Sequence, residues 1–210
     1  MNSHLFNAVV QNNIRFVTIL IESECNTEKG GFTTSNNRKK YITPLCAAVD
    51  AGNNEMVKIL LQGHADVLPP IDDYTPLQRA ASKGFFEIVE TLLKHKRKRC
   101  NDQLAARFAN DSPYGGNTAL YFALGTQITE ETKSSVNRFK TVSTLIRYGA
   151  DVNERDDNKL LPIQIVNKQI KQMNGWIDEL RTGGAERDLN FIAKAQKEKD
   201  NLLAIQELLV

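Results

Sequence analysis

The chain has 210 residues, with 27 Lys+Arg against 25 Asp+Glu and a formal net charge of +2. So small an excess gives no global pull toward nucleic acid or anionic lipid, and nucleic acid is not the expected partner. Hydrophobic residues make up 41% without any apolar run near membrane length, which argues against a membrane span and leaves one domain, 1–210, with a sizeable core.

The N-terminus, MNSHLFNAVVQ, shows no basic leader before a long apolar stretch, so no secretory signal is expected. Three cysteines, Cys25, Cys46 and Cys100, are too few for a disulfide framework and point to reducing, cytoplasmic surroundings.

In chain order, LFNAVVQNNIRFVTILI at 5–21 reads as the end unit of a series of short helix pairs. The pattern is plainest in TPLCAAVDAGNNEMVKILL at 43–61, which nearly recurs as TPLQRAASKGFFEIVETLL at 75–93. Pro44 opens a first helix, where its missing N–H costs nothing, and Thr43 can cap it. Gly52 and Gly84 mark the break before a second helix. In that helix Met56, Val57, Leu60 and Leu61 share one apolar face. Neither helix is long enough to stand alone, so copies must stack.

KHKRKR at 94–99 (Lys94, His95, Lys96, Arg97, Lys98 and Arg99) is expected to follow the second helix of the third unit. Basic residues there suit the helix dipole. An acidic or phosphate-bearing partner and a nuclear-import signal are the functional alternatives. NTALYFALGT at 117–126 supplies a fourth first helix and VSTLIRYGADVN at 142–153 its second, across an insertion. LPIQIVNK at 161–168 supplies a fifth. Its second helix is DNLLAIQELLV at 200–210, with WIDEL at 176–180 as the rival. The tail 185–210 reads as one helix, or two broken near Asp200, capping the stack. Lys194, Lys197, Glu198 and Lys199 mark its wet face.

The Thr-Pro-Leu runs at 43–45 and 75–77, the Ala-Ala pairs at 47–48 and 80–81, and Gly149-Ala150-Asp151-Val152-Asn153 resemble the ankyrin repeat family. The resemblance implies an all-α solenoid of about five stacked helix–turn–helix units, near 1–37, 38–70, 71–112, 113–155 and 156–210, with irregular insertions. Where the family has histidine after Thr-Pro-Leu, this chain has Cys46, Gln78 and Tyr121. Against a 33-residue period the loop after Ile21 is about seven residues too long, and 96–117 and 126–141 are each about ten too long.

The resemblance also implies a protein-binding module without catalysis or cofactor. Its loop tips and first helices would carry the contacts: Lys39, Lys40, Ile42 and Asp50; Asp72, Tyr74, Ser82 and Lys83; Tyr114 and Asn117; Asp157 and Asn158. Tyr74 and Tyr114 are the favoured anchors, since tyrosine offers apolar area with a polar tip; covering their own loops is the alternative. The irregular units and asparagine-rich loops loosely resemble ankyrin-containing effectors of intracellular bacteria, which would make the partner a host protein and the compartment the host cytoplasm or nucleus.

No Cys–His pairing, metal spacing or phosphate loop is evident. The competing functional classes are a cysteine-dependent enzyme with active groups in the insertions, and a structural spacer of a larger chain.

Overall fold

The computed structural model describes residues 3–35, 38–67, 74–99, 102–112, 117–125, 135–182 and 189–210. The Thr-Pro openings fold as their chemistry requires. Helices α3 (Pro44–Asp50) and α5 (Pro76–Ser82) begin at proline. The Thr43 hydroxyl accepts from the Cys46 amide at 3.2 Å, and that of Thr75 from the Gln78 amide at 3.1 Å. Gln78 Oε1 accepts in return from the Thr75 amide, which completes a capping box. The Ser3 hydroxyl likewise accepts from the Phe6 amide at 3.0 Å and caps α1 (His4–Val10), which lacks the Thr-Pro opening.

The turns repeat as faithfully as the helices. Each of these first helices stops two residues before a left-handed residue: Asn12, Gly52 or Gly84, with φ of 56°, 68° and 67°. The next amide bonds back across the turn, Asn13 to the Ala8 carbonyl, Asn53 to Ala48 and Phe85 to Ala80. Asn13 and Asn53 then cap α2 (Ile14–Glu22) and α4 (Asn54–Gln62). Glu24, His64 and Gly149 are the left-handed residues that end second helices.

The third unit departs at this point. Its counterpart of His64 is Lys96, and α6 (Phe86–Arg99) runs straight through it. The basic run therefore forms the last turns of α6 instead of following it. A further helix, α7 (Asp102–Ala109), packs back against α6, so the surplus in 96–117 is largely helical. In the fourth unit α8 (Ala119–Gly125) is followed by α9 (Ser135–Arg147), which starts well before the expected Val142. The surplus after Ile21 is an antiparallel hairpin, β1 (Gly31–Ser35) with β2 (Arg38–Ile42), in register from Gly31↔Ile42 to Ser35↔Arg38. It decorates a fold that is otherwise helical among the described residues.

The last two helices are long: α10 (Pro162–Thr182) and α11 (Leu189–Leu208). WIDEL lies inside α10. The segment from Asp200 belongs to α11, which passes that residue unbroken and packs on both α9 and α10.

Contacts order these helices into two rows. First helices α1, α3, α5, α8 and α10 each touch the next, as do second helices α2, α4, α6, α9 and α11. Between the rows lie Phe6, Leu45, Met56, Leu60, Leu77, Leu92, Leu120, Leu145 and Leu202, all buried. Ala48 and Ala80, also buried, keep neighbouring first helices close.

One expectation for α11 is corrected. The sequence places Glu198 on the wet face, yet it sits in the stripe Ala195, Leu202, Ile205 and is buried. Its carboxylate lies 3.4 Å from Nη1 of Arg138 on α9, and both side chains are only 8% exposed. Arg138 also donates to Gln169 Oε1 at 3.4 Å, and Gln169 Nε2 to the Leu124 carbonyl at 2.8 Å. This polar seam ties α8, α9, α10 and α11 together.

Candidate protein-binding face

Three of the expected contact residues gather on the first-helix row. Asp50, at the end of α3, is paired with Arg79 Nη1 at 2.8 Å and Lys83 Nζ at 3.4 Å. Lys83 Nζ also donates to the Asp50 carbonyl at 3.0 Å. Arg79 Nε donates to the Tyr74 carbonyl at 3.2 Å, which fixes the backbone that carries the Tyr74 ring. That ring is 53% exposed and stands edge-on to Phe122 of α8, with centroids 4.7 Å apart. Asp50, Arg79, Lys83, Tyr74 and Phe122 thus form one strip across units two, three and four: an aromatic step beside a partly neutralised charge cluster.

The remaining expected residues are scattered. Ser82 donates to the Arg79 carbonyl in its own helix. Asn117 Oδ1 accepts from the Asp157 amide at 3.3 Å, which joins the fourth and fifth loop tips, and Asn158 beside it is exposed. The backbones of Lys39 and Lys40 pair with Thr34 and Thr33. Ile42 does not belong to a surface: it is 8% exposed, because the last β2 position turns into the core just before Thr43. Asp72 and Tyr114 lie outside the described residues.

Sequence reasoning missed Arg79 and Phe122. Arg79 stands where the second unit has Ala47, and that exchange of a small residue for a long cation was the available signal.

Other chemistry is poorly served. Among the described residues no group of three His, Cys, Asp or Glu could hold a metal ion, and no helix is long and apolar enough to cross a membrane. Cys46 is buried in α3, and burial pushes the Cys25 thiol up, away from the thiolate a nucleophile needs. His64 and His95 line a cleft with each other, with neither cysteine among its lining. Cys100 lies outside the described residues.

Comparison with known proteins decides the family. The profile described as ankyrin repeats (3 copies) matches residues 5–103 and 72–156, well over half of the chain. The chain belongs to the ankyrin repeat family. Alpha-latroinsectotoxin-Lt1a of Latrodectus tredecimguttatus is 30% identical over 129 residues, 61% of this chain but 8% of that protein. The likeness to bacterial effectors gains no support from that match.

Ankyrin repeats generally work by binding other proteins, and two departures from the family pattern are legible as joints between repeats. Gln78 Nε2 donates to the Asn117 carbonyl at 3.0 Å and lies 3.4 Å from that of Asp111. The Tyr121 hydroxyl lies 2.5 Å from the Glu154 carbonyl and 2.6 Å from that of Leu160. Each side chain reaches from a first helix to the loop of the next repeat. Burial, with the Asp156 carboxylate adding to it, pushes the Tyr121 phenol up to about 12, so it stays a neutral donor.

Tyr121→Phe is expected to cost about 1 kcal/mol in urea unfolding, because the one hydroxyl proton shared between two half-buried carbonyls is lost. Since the folded pKa is raised, the wild-type contribution is intact below about pH 10, the free phenol value, and fades as pH climbs toward 12. The variant should lack that alkaline loss.

Proposed function

We propose that this ankyrin domain is a non-catalytic module that binds a protein through its first-helix face, centred on Tyr74 and Phe122. The exposed Tyr74 ring carries the reading. An aromatic half out of water, with its backbone fixed by Arg79, loses little freedom on docking. The flanking Asp50, Arg79 and Lys83 supply a polar rim of mixed sign. A stable interface buries about 1,200–2,000 Å² in total, so a partner must span several repeats. A host protein as partner, as for a delivered effector, would use the same face.

The test is quantitative capture of partners by the intact chain, by Tyr74→Ala, and by Lys58→Ala on the exposed side of α4. Tyr74→Ala should weaken a saturable partner about thirtyfold or more, as loss of a hot spot does. Lys58→Ala should leave it unchanged. The reverse pattern, with Tyr74→Ala folded and fully competent, would refute the placement.

A further inference from the structure

The second-helix row carries a feature that the face above does not use. Where α4 ends and α6 runs on past its expected stop, an open cleft of about 430 Å³ lies between units two and three. Its polar lining is His64 and Asp66 from the loop after α4, and His95, Lys96 and Arg99 from α6. The volume falls in the range of small-molecule sites.

The read-through of α6 is what builds this lining. In the second unit the chain turns away at His64, whereas in the third the helix continues and delivers His95, Lys96 and Arg99 to one place. Two other cations of the basic run are otherwise engaged. Lys94 pairs with Glu90 at 3.1 Å, and Arg97 pairs with Asp102. Lys96 Nζ sits 5.4 Å from the Phe108 ring centroid, which holds its stem in place without neutralising it. Among the described residues no carboxylate lies within ion-pairing distance of Lys96 or Arg99.

We propose that this cleft binds a compact phosphate-bearing anion, held by Lys96, Arg99 and the two imidazoles. A phosphate oxyanion matches the guanidinium fork and gives each imidazole N–H an acceptor. The helix end opposes an anion with about half an elementary charge. Two permanent cations outweigh that, and among the described residues Asp66 is the one acid in the lining. The proposal is independent of the Tyr74 face.

Binding carries a pH signature. His95 feels Arg99, Lys96 and Lys98 on its own helix and His64 beyond α4, and nothing charged from α5, α7 or α9 lines the cleft among the described residues. Burial first, and these cations next, hold its pKa below the usual histidine range. A bound polyanion reverses the charge effect and draws a proton onto the ring, so the contribution of His95 to affinity grows as pH falls from about 7.5 to about 6.

The experiment titrates the intact chain with tripolyphosphate at both pH values, by calorimetry and by the histidine ring resonances. A saturable single site, tighter at the lower pH, is expected. Lys96→Ala/Arg99→Ala should weaken it at least about tenfold, since two charge-assisted bonds are lost. Lys168→Ala/Lys171→Ala removes the same net charge from the exposed side of α10 and should not. Circular dichroism confirms that both variants fold. Phosphatidylcholine vesicles with and without phosphoinositide separate the two sources: tighter binding to the former assigns a headgroup, and binding to free tripolyphosphate alone assigns a soluble anion. No saturable binding, equal loss in both variants, or equal affinity for hexaglutamate would overturn the proposal.

Discussion

Glu198→Ala is expected to destabilise the protein by about 3–5 kcal/mol, the usual cost of stranding one charge of a buried pair. Arg138 would remain enclosed between α9, α10 and α11, opposite a cavity where its carboxylate stood. Burial already holds its pKa below the normal arginine range while Glu198 pulls it back up, so the carboxylate is what makes the buried cation tolerable. The companion Arg138→Met/Glu198→Met should recover most of the loss, because an apolar pair of similar volume avoids both desolvation penalties. Urea unfolding of the three proteins checks this. A single variant within about 0.5 kcal/mol of wild type, the range of surface substitutions, would mean the pair is solvated in solution.

Leu92→Ala should cost about 2–5 kcal/mol. Leu92 is fully buried on α6, and α6 touches α4, α5, α7 and α9, so the cavity falls in the middle of the stack. In a one-dimensional array each unit leans on its neighbours, so a weakened central unit uncouples the two ends. Denaturant unfolding should therefore lose cooperativity as well as midpoint, and amide exchange should speed up first in α6 and the helices it touches. Leu104→Ala on α7, 42% exposed, is the matched control and should change little. A single sharp transition shifted as a whole would show the chain to be more cooperative than its repeats imply.

The pairwise stack was legible because its determinants are local. Thr43-Pro44, Thr75-Pro76, Gly52 and Gly84 act on the few residues around them, and the Met56/Val57/Leu60/Leu61 stripe needs only helical spacing. The insertions were harder for the same reason. Lys96 was at most a faint sign that α6 would continue, since Glu24 and Lys159 do adopt positive φ, and a missing stop is a weaker signal than a present one. Glu198 looked like part of a solvated run with Lys197 and Lys199. Only Arg138, on a helix sixty residues away in sequence, makes its burial possible.

The proposed face was half visible. Asp50, Tyr74 and Lys83 follow from family positions, whereas the link through Arg79 and the step onto Phe122 depend on how α3, α5 and α8 sit side by side. Ile42 went the other way, since strand-end burial is set by the core it meets and not by its loop position.

Site-specific photocrosslinking tests the central claim most directly, with a photoreactive side chain placed in turn at Tyr74 on the first-helix face and at Lys58 on the second-helix row. A discrete, saturable crosslinked partner from position 74 and none from position 58 is the predicted result. The same partner captured from position 58 and not from 74 would contradict it.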